Sequence, residues 1–265
     1  MPGREVSCGF AKVVRELGAN MLLKERLAGL GALFFKYRSY TPVLFALVMF
    51  VFLASTSFHY RSGFDSAAYE LVCLGVSLLG LAIRVIAVGY SRSGTSGRNK
   101  RGQVAESLNA DGIYSIVRNP LYFGNFFVVL GITLLFPHYE IIAINILLFV
   151  FFYIPIIYKE EEFLLEKFKD AYVEYCRRTP AIIPNFRLWR RPELKFNLSR
   201  VLRRENGTFT GIIVGFVAIE VIAEYFVAHK VHLDWGWIGF LGVGLVFWAA
   251  SRLFKRRLRA LDTAP

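Results

Sequence analysis

Residues 140–158 read EIIAINILLFVFFYIPIIY and contain no charged side chain after Glu140. A helix rises ~1.5 Å per residue, and about 20 apolar residues cross the ~30 Å hydrocarbon core of a bilayer. This stretch therefore predicts a transmembrane helix. Five similar apolar blocks occupy residues 41–58, 69–90, 121–136, 209–228 and 234–254. We therefore expect an all-α, polytopic membrane protein with about six transmembrane helices.

The distribution of charge predicts the orientation of these helices. The chain has 265 residues, is 55% hydrophobic and carries a formal net charge of +12. With the N-terminus inside, the outer loops contain only two basic residues, Arg61 and Lys230. The inner segments, which hold nearly all other basic residues, are 1–40, 91–120, 159–208 and 255–265. Because cytoplasmic loops are enriched in Lys and Arg, both termini should be cytoplasmic. Attraction to anionic inner-leaflet lipids accounts for the charge without a nucleic-acid partner.

The apolar blocks also suggest how the chain is organised. Leucines and a phenylalanine in the N-terminal part follow a helical spacing next to basic residues, which predicts an interfacial helix: Leu23, Leu27, Leu30 and Phe34. We expect a cytoplasmic N-terminal segment (1–40), a membrane core (41–185), a basic cytoplasmic connector (186–208) and a C-terminal transmembrane hairpin with a basic tail (209–265). Gly211 and Gly215 form a GxxxG pattern, so close packing against a neighbouring helix or a homo-oligomer is a further expectation.

The cysteines and histidines lack metal-ligand spacing. Cys8, Cys73 and Cys176 are odd in number and far apart, which predicts isolated reduced thiols. His229 and His232 are three residues apart, but a metal would need further ligands. We therefore expect no metal site.

A first polar motif precedes the short third block, where residues 112–125 read GIYSIVRNPLYFGN. Pro120 favours the first turn of a helix and pushes Asn119 out of the helical region. Arg118 and Asn119 therefore lie at a helix N-terminus, where free N–H groups and the helix dipole favour an anion. Gly124 allows a ligand to approach the backbone closely. The motif predicts a carboxylate or phosphate site, although a simple helix cap is the alternative.

A second motif ends the fourth block, where residues 159–164 read KEEEFL. Three consecutive carboxylates repel one another and would be stabilised beside a cation; a solvated charged face is the alternative. The apolar residues that follow recur at spacings of four, four and three and predict one amphipathic helix: Leu164, Phe168, Tyr172 and Tyr175. Together, an anion site and a carboxylate cluster suit a zwitterionic ligand with a positive centre, such as S-adenosylmethionine.

The two motifs resemble the signature of the isoprenylcysteine carboxyl methyltransferase and phospholipid methyltransferase superfamily. The matching residues are Gly112, Tyr114, Arg118, Asn119, Pro120, Tyr122, Gly124, Glu160, Glu161, Leu164, Phe168, Tyr172 and Tyr175. Asn119 stands where eukaryotic carboxyl methyltransferases usually carry histidine, which puts a prenylcysteine substrate in doubt. Lys169 stands where glycine usually follows the aromatic residue.

The resemblance implies an S-adenosylmethionine-dependent methyltransferase for a membrane-embedded lipid, either a phospholipid or lipid phosphate or amine head group, or a prenylated cysteine carboxylate. It implies that the cofactor is bound by Tyr114, Asn119, Pro120, Tyr122, Gly124, Glu160 and Glu161. Arg118 would orient the acceptor or the cofactor carboxylate, and Glu161 would accept a proton from an amine acceptor. Arg84, inside the second block, should either snorkel to the headgroups or bind the acceptor's anionic head.

Two other functions fit parts of the pattern. An NADPH-dependent sterol or enone reductase of similar membrane architecture shares an Arg-His-Pro signature, but Asn119 replaces the histidine here. A non-catalytic lipid-binding protein on a decayed methyltransferase fold is the other alternative. Cofactor bound to the purified protein would distinguish the three functions.

Overall fold

The computed structural model describes residues 21–38, 41–55, 67–92, 105–136, 138–228 and 234–262. In these ranges the helices are α1 (Met21–Tyr37), α2 (Thr41–Ser55), α3 (Ala67–Gly89), α4 (Pro120–Leu134), α5 (Tyr139–Phe168), α6 (Asp170–Arg178), α7 (Leu198–Ala228) and α8 (Trp235–Asp262). Short 3-10 turns occupy Ile113–Ser115 and Phe186–Leu188. Extended backbone pairs in these ranges only at an isolated bridge between Gly112 and Arg190. The prediction of an all-helical protein is confirmed.

Four of these helices are long and apolar enough to cross a membrane. They are α3, α5, the Leu198–Ile222 part of α7 and the Trp235–Phe254 part of α8. The apolar helix α4 has 15 residues, so at ~1.5 Å per residue it is shorter than the hydrocarbon core, as expected for the third block. The helix α2 also has 15 residues. The count of six transmembrane helices and the interfacial position of α1 stay predictions.

The helix α7 begins earlier than the apolar pattern predicts. It starts at Leu198 rather than near residue 209, so the last part of the predicted connector is helical. The Asn197 side chain accepts a hydrogen bond from the Arg200 amide at 2.8 Å, which is the usual geometry of a residue that caps a helix N-terminus. The same helix therefore carries charged residues in its first turns and an apolar stretch after them.

The single amphipathic helix expected across residues 164–175 is wrong, because the structure has a break at Lys169. The helix α5 ends at Phe168 and α6 starts at Asp170. Lys169 has a φ of 46°, and it is the only residue other than glycine in the described ranges with a positive φ. Glycine adopts such backbone angles most readily, which gives a physical reason for the glycine that the superfamily usually has there. The prediction of isolated thiols is also wrong for Cys176, which is disulfide-bonded, whereas Cys73 is a buried free thiol.

The chain forms two compact units. The first comprises Met1–Pro42, Tyr90–Phe123 and Ile146–Phe196. In this unit α1 packs closely on α5, because a Cβ at Gly31 would overlap the Pro155 carbonyl oxygen. The Phe34 ring lies 4.6 Å from the Phe152 ring. Aromatic packing therefore holds α1 against the middle of α5.

The second unit comprises Val43–Gly89, Gly124–Asn145 and Asn197–Pro265. Its interior includes one cluster of the buried side chains Cys73, Ile212 and Phe216, and another of Phe136, Ile141 and Ile219. In the GxxxG pattern of α7, a Cβ at Gly215 would lie 2.9 Å from Ile132, whereas Gly211 has no neighbour within 4 Å. Gly215 therefore serves packing within the chain, and a homo-oligomer stays a prediction.

Candidate functional site

The two sequence motifs meet in the first unit, where Arg118 pairs with Glu161. Arg118 precedes α4, and Glu161 lies near the C-terminal end of α5. Arg118 Nε donates a hydrogen bond to Glu161 Oε1 at 2.9 Å, and Arg118 Nη2 lies 2.8 Å from the same oxygen. The exposed fractions of the two residues are only 8% and 5%. Because buried charges are stable only when paired, this ion pair fixes the start of α4 against α5.

Backbone carbonyls accept further hydrogen bonds from side chains at the start of α4. Arg118 Nη1 donates to the Thr179 carbonyl at 2.6 Å and to the Cys176 carbonyl at 3.2 Å. The Asn119 side-chain amide donates to the Ala181 carbonyl at 3.1 Å and lies 3.5 Å from Glu161 Oε1. Pro120 begins α4 and is fully buried. The guanidinium of Arg118 is therefore contacted by the Glu161 carboxylate and by two backbone carbonyls.

Two polar atoms of the Arg118–Glu161 pair remain without a hydrogen bond. Within the described part of the chain, Arg118 Nη2 and Glu161 Oε2 are buried and have no hydrogen-bond partner. The short approach of Nη2 to Glu161 Oε1 is an ion-pair contact. Buried polar atoms without partners are rare in folded proteins and often mark a functional site. One of these atoms is a donor and the other an acceptor, so the pair retains capacity for a zwitterionic ligand.

The other two carboxylates of the KEEEFL stretch differ in environment. Tyr122 donates its hydroxyl hydrogen bond to Glu160 Oε1 at 2.8 Å, and Arg38 Nη1 lies 3.5 Å from the same oxygen. Glu162 instead pairs with Lys159 at 2.6 Å and is about one third exposed. Glu160 is therefore held by partners from other parts of the chain, whereas Glu162 pairs within its own helix. No group of three metal-ligating side chains occurs in the ranges that the structure describes, and a metal-free site stays a prediction.

The segment that follows α6 runs back along the first motif in antiparallel order. The Arg118 amide donates to the Pro180 carbonyl, the Asn185 amide to the Ile116 carbonyl and the Gly112 amide to the Arg190 carbonyl, at 2.9, 2.9 and 3.0 Å. We call residues 112–118 and 180–190 the paired segments. Gly112 has a φ of 56°, which explains why glycine starts the motif. The paired segments hold the backbone around Arg118 in a fixed conformation.

Two buried tyrosines of α6 support this arrangement. Burial raises the pKa of Tyr172 and of Tyr175 well above the usual value for a phenol. Both hydroxyls therefore stay protonated in the physiological range. The Tyr175 hydroxyl donates to the Tyr114 carbonyl at 2.7 Å. Tyr114, a predicted cofactor residue, is thus held through its backbone by α6.

A pocket of about 770 Å³ opens beside Arg118. Its walls comprise Arg118 and residues between Cys176 and Leu188, including Thr179 and Arg187. The volume lies within the usual range of small-molecule sites. Arg118 is the predicted site residue that lines this pocket, whereas the wall formed by residues 179–188 holds no residue that the sequence pattern assigned to the site. The two prolines in this wall, Pro180 and Pro184, were the only local signal for it.

The remaining predicted site residues, Arg84 and Gly124, lie in the second unit. Arg84 Nε and Nη2 donate to the two carboxylate oxygens of Glu205 at 2.7 and 2.8 Å, and Arg84 Nη1 donates to the Asn125 side chain. A Cβ at Gly124 would lie 2.6 Å from Arg84 Cγ, so Gly124 makes room for the arginine. Glu205 was not predicted as a site residue because it lies in the predicted connector. The substrate-binding role of Arg84 stays a prediction.

Comparison with known proteins gives one family match. The phospholipid methyltransferase family model matches residues 71–171. This range includes Arg84, Arg118 and Glu161 but ends before the wall formed by residues 179–188. The match therefore covers both sequence motifs and excludes the segment that pairs with the first of them.

Three curated proteins are similar to parts of the chain. The cobalt-zinc-cadmium resistance protein CzcN of Cupriavidus metallidurans is 29% identical over 54% of this chain and 63% of its own. The protein-S-isoprenylcysteine O-methyltransferase of Schizosaccharomyces pombe is 32% identical over 46% of this chain and 50% of its own. The nickel-cobalt-cadmium resistance protein NccN of Alcaligenes xylosoxydans xylosoxydans is 29% identical over 49% of this chain and 58% of its own. The chain thus spans between half and two thirds of the length of these relatives. No solved structure matches.

Proposed function

Because residues 71–171 belong to the isoprenylcysteine carboxyl methyltransferase and phospholipid methyltransferase superfamily, we propose that this protein is a membrane methyltransferase. In this proposal it uses S-adenosylmethionine to methylate a lipid embedded in the bilayer. The observation that carries the proposal is the buried Arg118–Glu161 pair: within the described residues one donor of Arg118 and one acceptor of Glu161 have no hydrogen-bond partner, and Arg118 lines the pocket.

The residues present fit S-adenosylmethionine. An arginine suits a carboxylate because charge-assisted hydrogen bonds are strong, and Arg118 and Arg187 both line the pocket. The ammonium and sulfonium groups of the cofactor are positive, and no side chain or backbone group in the described part of the chain donates a hydrogen bond to Glu161 Oε2. When bound, the cofactor supplies a methyl group that is electrophilic because it is attached to the sulfonium. The protein contributes mainly by holding the acceptor in line with that group, which is an effect of orientation.

The acceptor is proposed to be a lipid head group with a phosphate, carboxylate or amine nucleophile. A phosphate or carboxylate needs no general base, because it is already ionised. An amine must lose a proton, and Glu161 is the candidate base for that proton. The asparagine at position 119 favours a phospholipid or related head group over a prenylated cysteine.

The membrane arrangement belongs to the same proposal. We propose six transmembrane helices with both termini in the cytoplasm, which adds the short helices α2 and α4 to the four long ones. The asymmetric distribution of basic residues supports this orientation. A reductase has less support, because none of the three relatives described above is a reductase and Asn119 replaces the histidine of that signature.

Binding measurements on the purified protein in detergent test the proposal. Isothermal titration with S-adenosylmethionine should show binding to the wild type. Glu161→Gln should weaken that binding by about 1–3 kcal/mol, because it removes a charged partner. Glu162→Gln is the matched control on the same helix turn: Glu162 pairs with Lys159 at the surface, so binding should not change. Equal affinity in both variants would exclude Glu161 from the cofactor site.

Two further measurements separate the alternatives. Transfer of a labelled methyl group to lipids extracted from the host membrane should require the protein and should be lost in a folded Glu161→Gln variant. Titration with NADPH should give no signal. Binding of NADPH without binding of S-adenosylmethionine would establish the reductase, and lipid binding with neither cofactor would establish a non-catalytic protein.

A further inference from the structure

The stretch from Ile183 to Leu198 exposes six large apolar side chains. The exposed fractions are 79% for Ile183, 74% for Phe186, 50% for Trp189, 40% for Leu194, 42% for Phe196 and 59% for Leu198. We call residues 183–198 the aromatic–basic surface. Large exposed apolar patches mark interaction sites, because leaving them in water is unfavourable. Ile183 and Phe186 also line the pocket, whereas the other four apolar side chains do not.

Unpaired cations lie between these apolar residues. Arg187, Arg191 and Lys195 are exposed, and their side chains make no hydrogen bond or ion pair with any residue in the described ranges. The acidic residue in the stretch, Glu193, is already paired with Arg92. The surface is therefore positive as well as apolar, and its partner must offer negative charge beside apolar material.

The backbone of this surface is held in place by the rest of the first unit. The Asn185 side chain caps the 3-10 turn by accepting a hydrogen bond from the Arg187 amide at 3.2 Å. The Arg190 amide donates to Ser115 Oγ at 2.9 Å. Near the other end, the Phe196 ring packs edge-on against the Tyr90 ring at 5.3 Å. The side chains are thus displayed from a fixed backbone, which lowers the entropic cost of binding a partner.

In the sequence, this surface leads directly into a candidate membrane-spanning helix. Phe196 is two residues before Leu198, where α7 and its candidate membrane-spanning part begin. Aromatic side chains are enriched at the level of lipid headgroups, and arginine and lysine bind anionic headgroups there. We propose that the aromatic–basic surface docks onto the anionic face of the bilayer that α7 enters. The surface also supplies part of the pocket wall, so docking would hold that wall at the lipid surface.

This inference does not depend on the proposed methyl transfer, and it can be tested by fluorescence. Wild type and Trp189→Phe would be reconstituted in vesicles of phosphatidylcholine and phosphatidylglycerol whose acyl chains carry bromine near the headgroup. The difference between the two spectra reports Trp189. We expect bromine to quench this difference signal and aqueous acrylamide to have little access. Access to acrylamide without quenching by bromine would overturn the proposal. Protection from both quenchers would indicate cover by another part of this chain or a second copy, and would also overturn it.

The charge contribution needs a separate variant. Arg187→Gln, Arg191→Gln and Lys195→Gln together should reduce the excess of phosphatidylglycerol over phosphatidylcholine that copurifies with the protein. Each cation near a membrane surface contributes roughly a fivefold preference, so a loss of several-fold is expected. The control variant replaces Lys167, Arg177 and Arg178 by glutamine. The two arginines are already paired with Glu174. An equal loss of phosphatidylglycerol from both triple variants would overturn a specific lipid contact.

Discussion

Arg84 on α3 and Glu205 on α7 form an ion pair with two contacts, in which Nε and Nη2 of Arg84 lie 2.7 and 2.8 Å from the two carboxylate oxygens. The exposed fractions of the two side chains are 14% and 5%. The cost of taking both charges out of water offsets much of their attraction, so the intact pair adds little net stability. Removing one partner is different, because it leaves a buried charge without compensation.

Glu205→Ala should therefore destabilise the protein by about 3–5 kcal/mol, measured by chemical unfolding in detergent. The double variant Arg84→Met with Glu205→Leu should recover most of this loss, because it removes both charges and keeps the volume. If the double variant unfolds as easily as Glu205→Ala, the charge pair is not the cause of the loss.

The same double variant tests the predicted role of Arg84 in binding the acceptor. If Arg84 binds the anionic head of the lipid, the folded double variant should bind S-adenosylmethionine normally but lose methyl transfer. The measurements are cofactor titration and transfer of a labelled methyl group to extracted lipids. Normal turnover would limit Arg84 to its pair with Glu205.

Arg118→Lys should destabilise the protein by about 1–3 kcal/mol and abolish most methyl transfer. The guanidinium donates to Glu161 and to the carbonyls of Cys176 and Thr179, whereas an ammonium is a compact charge without the planar fork. Arg178→Lys is the control: this arginine is exposed and pairs with Glu174, so stability should change by no more than about 0.5 kcal/mol. Thermal unfolding in detergent is the measurement. Equal stability of both variants would contradict the structural role of Arg118.

Lys169→Gly should stabilise the protein by about 1 kcal/mol. The backbone angles of Lys169, φ 46° and ψ −121°, are strained for a residue with a Cβ, and the relief exceeds the entropy that glycine loses on folding. Asp170→Gly, one residue on and inside α6, should instead destabilise. Chemical unfolding of both variants is the test. A less stable Lys169→Gly protein would show that the Lys169 side chain adds more to the free energy of unfolding than its strained backbone subtracts.

The two glycosylation acceptor patterns, Asn197-Leu198-Ser199 and Asn206-Gly207-Thr208, should stay unmodified even in a eukaryotic host. Asn197 caps α7, and Asn206 is 6% exposed with its amide bonded to Ser251 Oγ. Electrophoresis with and without endoglycosidase measures any glycan. An acceptor engineered into residues 59–68, predicted to lie outside, should be modified in the same host. A glycan on Asn197 or Asn206 would contradict both the packing of these residues in α7 and the predicted cytoplasmic location of its N-terminal end.

Local sequence patterns were sufficient to predict the helices but not all of their limits. The apolar block 69–90 predicted α3 to within two residues at its start and one at its end. The start of α7 was missed because Arg203, Arg204 and Glu205 dilute the apolar signal. Glu205 is buried beside its partner Arg84, which lies 121 residues earlier in the sequence. A local sequence pattern cannot predict a contact between residues so far apart.

The candidate site was predictable where residue types carry its chemistry. Arg118 and Glu161 belong to short motifs, and the structure pairs them. Their other partners are backbone carbonyls of Cys176 and Thr179, which any residue could provide, so the sequence contains no signal for them. The break at Lys169 was hidden because the apolar spacing continues across it.

The distance along the chain between Arg118 and its partners has a consequence for biogenesis. Those partners lie 43, 58 and 61 residues later in the sequence. The ribosome must therefore synthesise the chain as far as Glu161 in α5 before the guanidinium can be neutralised within the protein, and as far as Thr179 before all of these partners are present. In the six-helix arrangement proposed above, α4 would until then enter the membrane with a charge at one end that only water or lipid phosphates can solvate. Completion of the site is a late event in synthesis, and a chain released early would present that unpaired arginine to the quality-control machinery of the cell.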